Sequence, residues 1–102
     1  LLATLLKYFY IEKPELYYVL YNSFPIGGVD GTLEYRMKNS LAEKNVHAKT
    51  GTLTGVSTLS GYLTIKKSHV IAFSILMQNY VGAPTKAKDL QDEICRILGE
   101  LK

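Results

Sequence analysis

Residues 69–77 are apolar at both parities of a strand: Ile71, Phe73, Ile75 and Met77 on one side, Val70, Ala72 and Leu76 on the other. A strand of that kind sits inside a sheet covered on both faces. The stretch before it, Val56 to Lys66, alternates instead. Leu59, Gly61, Leu63 and Ile65 share one face, and Thr58, Ser60, Tyr62 and Thr64 share the other, which is the period of two expected of a strand. Lys66-Lys67-Ser68 between them predicts a hairpin turn. His47 to Thr52 reads as a preceding strand with small residues and a glycine. Consecutive strands with short links are antiparallel. The pattern therefore predicts three antiparallel strands that need covering layers on two sides.

Helical periodicity supplies those layers. Leu2, Leu5, Leu6 and Phe9 follow the i, i+3, i+4, i+7 spacing of one helical face. Pro14 is placed to start a second helix, since its missing N–H costs nothing in a first turn, and Leu16, Val19 and Leu20 repeat the spacing. Residues 1–24 hold seven of the eleven aromatics. Aromatics at helical spacing are read as core, with part of the face free for protein outside this chain. Gly82, Ala83 and Pro84 break the chain. A last helix follows, with Ala87, Leu90, Ile94, Ile97, Leu98 and Leu101 as its apolar stripe and Lys88, Asp92, Glu93, Arg96 and Glu100 facing away. Cys95, the single cysteine, is read as a small packing residue. The fold class is α+β, an antiparallel sheet flanked by helices.

Several function classes lack their signals. With 47% hydrophobic and 21% charged residues the 102-residue chain is globular, not disordered. Its apolar runs are far shorter than the ~20 residues of a membrane-spanning helix. The net charge of +3 comes with no basic cluster beyond Lys66-Lys67 and Lys86/Lys88, so no nucleic-acid partner is expected. His47, His69 and Cys95 have no metal-ligand spacing, and no metal is expected. Neither G-x-G-x-x-G nor G-x-x-x-x-G-K-[ST] occurs, so no cofactor is expected either. The chain opens inside an apolar segment, Leu1-Leu2-Ala3-Thr4-Leu5-Leu6, as a piece of a longer protein would.

Two segments remain. Pro25 to Gly31 packs three glycines and a proline into seven residues, which demands a tight, shaped loop. Asp30 there is read as a loop-bracing carboxylate, and Arg36 as the partner of Asp30 or another acid. Ala48-Lys49-Thr50-Gly51-Thr52 carries a Lys-Thr-Gly motif on a predicted strand, and its glycine lets another backbone come close. A strand edge offers N–H and C=O groups to an extended peptide. A lysine with two hydroxyls suits a carboxylate.

These stretches resemble a family. Phe24-Pro25-Ile26-Gly27-Gly28-Val29-Asp30-Gly31-Thr32-Leu33, followed by Arg36, is similar to the L-P-x-A-G-V-D-G-T-L of the D-alanyl-D-alanine carboxypeptidase/endopeptidase family, the DacB type of class C low-molecular-mass penicillin-binding proteins. Ala48 to Tyr62 resembles that family's A-K-T-G-T-L-x-G-V stretch, and Ala72-Phe73-Ser74-Ile75-Leu76 with Asn79 resembles a third. Together they span most of residues 24–79 in the family's order. Gly27 stands where the family usually has alanine. Lys-Thr-Gly itself is shared with serine β-lactamases.

The resemblance implies that residues 1–102 are the C-terminal portion of a penicillin-binding protein/β-lactamase-like transpeptidase domain. No serine here is followed by lysine at +3, and no Ser-x-Asn or Tyr-x-Asn occurs, so the family's nucleophile and second motif are expected upstream. Its partners would be a peptidoglycan stem peptide or a β-lactam, together with the remainder of the parent chain. Exposed apolar strand faces could also drive self-association. The location would be periplasmic or otherwise extracytoplasmic in a bacterium. By resemblance Lys49 is catalytic, orienting substrate and assisting proton transfer. Thr50 and Thr52 bind the terminal carboxylate, Gly51 keeps the strand clear for substrate, and the Thr52 N–H is one oxyanion donor. The isolated piece is expected to be inactive. The competing expectation is a non-catalytic α+β interaction module that uses the aromatic N-terminal region.

Overall fold

The structure, a computed structural model, describes residues 2–38, 40, 42–53, 56–65, 69–78 and 84–100. The expected turn at 66–68, Asn79, Gly82, Ala83 and the stripe residue Leu101 lie outside them. Helices α1 (Leu2–Glu12) and α2 (Pro14–Ser23) come first, then a 3-10 turn at Gly31–Leu33. Strands β1 (Val46–Leu53), β2 (Val56–Ile65) and β3 (His69–Gln78) follow, and α3 (Pro84–Gly99) closes the order. Pro14 stands in the first turn of α2, where its fixed φ fits and its lost donor is not missed.

The sheet order is β1-β2-β3, antiparallel throughout. The register pairs Val46 with Leu63, Ala48 with Gly61 and Thr50 with Leu59, and then Gly61 with Phe73 and Leu59 with Ile75. Directly opposed residues share a face. On this face Val46, Ala48, Leu59, Leu63 and Phe73 join Leu33, Met37, Ala42 and Cys95 in the main core. On the other, Tyr62 packs with Leu6 and Tyr17, flanked by Phe9, Tyr21, Phe24, Val70 and Ala72. Tyr62 is fully buried, donates its hydroxyl to the Leu6 carbonyl at 2.7 Å, and meets the Tyr17 ring edge-on at 4.9 Å. Both faces carry cover over β2, but β3, at the end of the strand order, does not reach the two-sided burial its apolarity predicts: of its residues only Phe73 is buried. The cover on the α1/α2 side stops short, however, and Leu76 near the end of β3 is 60% exposed.

The last helix sits differently from its apolar stripe. Ala87, Gln91, Cys95 and Gly99 are the buried row, while Leu90 and Ile97 are about half exposed. Asp92 does not face away but pairs with Arg36. Two polar attachments turn the helix. Gln91 donates from Nε2 to Ser57 Oγ on β2 at 3.2 Å. Arg36 donates from Nη2 to Gln91 Oε1 at 3.1 Å and from Nε to Asp92 Oδ1 at 2.8 Å. A row containing Ala, Cys and Gly also lets the helix lie close to the strand. The Cys95 thiol, buried in this row, is pushed up to about 12 by desolvation, which makes it a packing group and not a nucleophile.

Candidate functional site

The glycine-rich loop is built against β1. Ala48 donates its N–H to the Pro25 carbonyl at 3.0 Å, and Gly27 donates to the Val46 carbonyl at 2.9 Å, with an antiparallel bridge between Ile26 and His47. The loop thus serves as a short extra strand along the outer edge of β1. It then folds back on itself. Asp30 Oδ1 accepts from Ile26 N–H at 2.7 Å, and Gly28 N–H reaches the Leu33 carbonyl at 2.8 Å. Gly28 and Gly31 hold φ of 73° and 57°, values that cost a side-chain-bearing residue but not glycine. Asp30 therefore braces its own loop. Arg36 takes the other option open to it, an acid elsewhere, Asp92 at 2.7 Å.

This loop delivers Thr32 to β1. Thr50 Oγ1 donates to Thr32 Oγ1 at 3.1 Å. The glycine-rich segment and the Lys-Thr-Gly strand, separate in the sequence, meet at this hydroxyl pair.

The edge of β1 changes character at Lys49. Ala48 N–H and Val46 C=O point away from β2, toward the loop. Residues of the same parity aim the same way in an antiparallel strand. The backbone groups of Thr50 and Thr52 therefore point outward too, and among the described residues no backbone pairs with β1 there. The Lys49 ammonium donates to the outward-facing Thr50 carbonyl at 2.5 Å. Gly51 is exposed, and among the described residues a Cβ on it would meet Thr58 Oγ1, at 2.7 Å. Thr52 is described by its backbone placement opposite Ser57.

Lys49 lies on the α1/α2 face, in register with Ser60 and through it with Ser74. Those two hydroxyls are 2.9 Å apart. His47, two residues earlier on this face, stacks on Tyr21 at 3.7 Å and places Nδ1 3.3 Å from the Tyr21 carbonyl. Burial lowers the affinity of His47 for its proton, against smaller opposing effects of the Tyr21 carbonyl and Asp30. Helices α1 and α2 thus cover the His47–Tyr62 end of the face, and the Lys49–Ser60–Ser74 row is the open part.

The structure brings Lys49, Thr50 and Gly51 to one open strand edge beside a half-covered face. Such an edge can pair with an extended peptide. Among the described residues no three His, Cys, Asp or Glu side chains gather to hold a metal ion, and no helix is long and apolar enough to cross a membrane. Sequence reasoning missed Thr32, Gln91 and Ser57. Gln91 had a local signal, since it stands four residues from both Ala87 and Cys95. Thr32 and Ser57 stood inside the stretches that carry the resemblance but without a role, because each matters through a residue far away in the chain.

Comparison with known proteins agrees with this architecture. Residues 1–101 match the D-Ala-D-Ala carboxypeptidase 3 (S13) family. The D-alanyl-D-alanine carboxypeptidase DacB of Haemophilus influenzae is 38% identical over 81 residues, covering 78% of this chain and 17% of that protein. The D-alanyl-D-alanine carboxypeptidase of an Actinomadura strain is 44% identical over 73 residues, covering 66% and 13%. The crystal structure of penicillin binding protein 4 (dacB) from H. influenzae superposes with a TM-score of 0.80 at 29% identity, covering 97% of this chain and 23% of that one. A second structure of that protein, complexed with a novel β-lactam, gives a TM-score of 0.73 at 32% identity, covering 93% and 23%. The chain spans less than a fifth of the length of these curated relatives. A three-stranded α+β unit of this topology, carrying the shaped loop and the Lys-Thr-Gly strand and matched almost end to end by the family's pattern, belongs to the D-Ala-D-Ala carboxypeptidase (S13) family.

Proposed function

We propose that this chain is the C-terminal portion of the transpeptidase-like domain of a serine D-Ala-D-Ala carboxypeptidase/endopeptidase, and that it supplies the substrate-binding strand of the acyl-transfer site. The observation that carries the reading is the edge of β1. Among the described residues it is occupied by Pro25–Gly27 as far as Ala48 and open from Lys49 onward.

A peptidoglycan stem peptide ending in D-Ala-D-Ala, or a β-lactam, lies along the open edge as an extra strand. Thr50 and Thr52 present hydroxyls to its carboxylate, and Lys49 adds the positive charge that orients it. The outward Thr52 N–H is one of the donors that stabilise the oxyanion. The remainder of the parent chain supplies the nucleophilic serine and covers the open Lys49–Ser60–Ser74 row. The β-lactam bound in the H. influenzae relative supports penicillin as a ligand. An extracytoplasmic location in the cell wall follows from such a substrate.

Labelling of the full-length protein with a fluorescent penicillin tests this. Acylation is expected, and Lys49→Ala slows it by about two orders of magnitude, the loss typical of one charge-stabilising group. The 102-residue chain alone takes no label. Unchanged labelling of Lys49→Ala, or covalent labelling of the isolated chain, overturns the reading.

A further inference from the structure

The geometry points to Thr32 as a positioning residue for carboxylate recognition, acting through the Thr50 hydroxyl. This rests on the reading of Thr50 as a carboxylate ligand. It goes further by naming the group that sets the direction of that hydroxyl's proton.

Each threonine hydroxyl has one proton and two lone pairs, and the proton rotates to suit its partners. In the structure Thr50 gives its proton to Thr32 at 3.1 Å. A carboxylate at the open edge accepts only, so Thr50 must turn its proton toward the ligand. A lone pair of Thr50 then faces Thr32, which turns its own proton to it. The pair reverses from Thr50→Thr32 to Thr32→Thr50→carboxylate by rotation of the two hydroxyls. A donor chain of this kind polarises the terminal hydroxyl and strengthens its bond to the anion.

The backbone is shaped to hold Thr32 at that place. The loop is tied to β1 by the Ala48–Pro25 and Gly27–Val46 bonds, and closed by the Gly28–Leu33 bond. Asp30 clamps Ile26 N–H. Gly31, immediately before Thr32, takes φ of 57°, and a Cβ on it would press on Pro25 at 3.0 Å. The loop is therefore a braced bracket, and Thr32 is the side chain it carries to the strand edge.

The test uses the full-length protein and two penicillins, one with a free carboxylate and its methyl ester. Thr32→Val keeps the shape and removes the hydroxyl. It is expected to slow acylation by the free acid about fivefold, equivalent to ~1 kcal/mol at 1.4 kcal/mol per tenfold, and to leave the ester rate unchanged. Thr32→Ser restores the rate with the acid. Thr50→Val lowers the acid-to-ester ratio at least as much, and Thr32→Val adds nothing in a Thr50→Val background because the two act as one unit. If Thr50→Val lowers the ratio and Thr32→Val does not, Thr32 is a loop residue only and the inference fails while the reading of Thr50 stands. If Thr50→Val leaves the ratio unchanged, the reading of Thr50 itself fails. Equal losses on acid and ester with a lowered melting temperature mark a folding defect in Thr32→Val and also overturn the inference.

Discussion

Gly61→Ala is the substitution to which the sheet should be most sensitive. Gly61 faces Ala48 across the β1–β2 ladder. A Cβ on Gly61 would lie 2.1 Å from the His47 carbonyl oxygen, 2.5 Å from Ala48 Cα and 2.8 Å from Ala48 Cβ. Two of these neighbours are backbone, so no side-chain rotation relieves them. Reaching 3.0 Å, below which real Cβ atoms essentially never sit, needs β1 to retreat by about 0.9 Å from the nearest of them. The retreat opens the ladder at the pairs directly before Lys49. Overpacking a tight interior costs up to about 3 kcal/mol, and a lost ladder bond adds about 1 kcal/mol. At about 2–4 °C per kcal/mol for a domain of 150–250 residues, a loss near ~4 kcal/mol lowers the melting temperature by about 8–16 °C.

Differential scanning fluorimetry of the full-length protein reads this shift, and fluorescent-penicillin labelling reads the displacement of Lys49. Gly27→Ala is the matched control. Its Cβ would meet Met37 Sδ at 3.3 Å and the Ala42 carbonyl oxygen and Val46 Cβ at 3.4 Å each. The tightest of these is a flexible thioether, so the fit needs only a small adjustment. Restricting the unfolded chain stabilises by about 0.4–1 kcal/mol, and the net change is expected to lie within ~0.5 kcal/mol of zero. This fits the alanine that the resembling family carries at that position. A Gly61→Ala protein that melts within about 2 °C of the parent and labels normally would refute the close-approach argument.

Two further outcomes follow from the polar groups. Gln91→Leu strands the buried Ser57 hydroxyl and removes one acceptor of Arg36, so it should cost about 2–3 kcal/mol despite its greater apolarity, read as a lower melting temperature; an unchanged or raised value would show that the helix does not depend on this contact. His47 holds its proton less tightly folded than unfolded because it is buried, so just below its ordinary value near ~6.5 the unfolded chain binds more protons. Its contribution is complete above that value and is lost as pH falls through it toward the lower folded pKa. His47→Phe keeps the ring against Tyr21 and should flatten the fall in melting temperature between pH 7 and pH 5.5; an identical slope would remove His47 from the acid response.

Most of the element order was legible because each element declares itself locally. Strict alternation over Val56–Ile65, two-sided apolarity over His69–Met77 and Pro14 between two periodic runs are properties of neighbouring residues. The orientation of α3 was not. Counting apolar side chains puts Leu90 and Ile97 inward, yet the buried row is Ala87, Gln91, Cys95 and Gly99. A buried glutamine is tolerated only where its partners are supplied, and those partners, Ser57 and Arg36, lie 34 and 55 residues away in the chain. The spacing of four from Ala87 to Gln91 to Cys95 marks the row, but a count of apolar side chains passes over a glutamine whose partners are remote. The same limit hid the contact of Thr32, which depends on a loop geometry that brings it to Thr50, 18 residues on.

Lys49 was legible as a motif, but its exposure has a tertiary cause. Two separate covers lie over β1. The Pro25–Gly27 segment occupies its outer edge and stops at Ala48. The α2 layer occupies one face, with Tyr21 stacked on His47, and stops there. His47 and Ala48 are buried in consequence, at 9% and 0% exposure, and Lys49 is the first exposed residue of the strand. Both covers are held by contacts remote from the lysine: Asp30 on Ile26 for the loop, and the Tyr17–Tyr62 packing for the helices. Among the described residues, the position at which the strand becomes exposed is therefore set by where two independently braced layers end, and the motif lies at their common boundary.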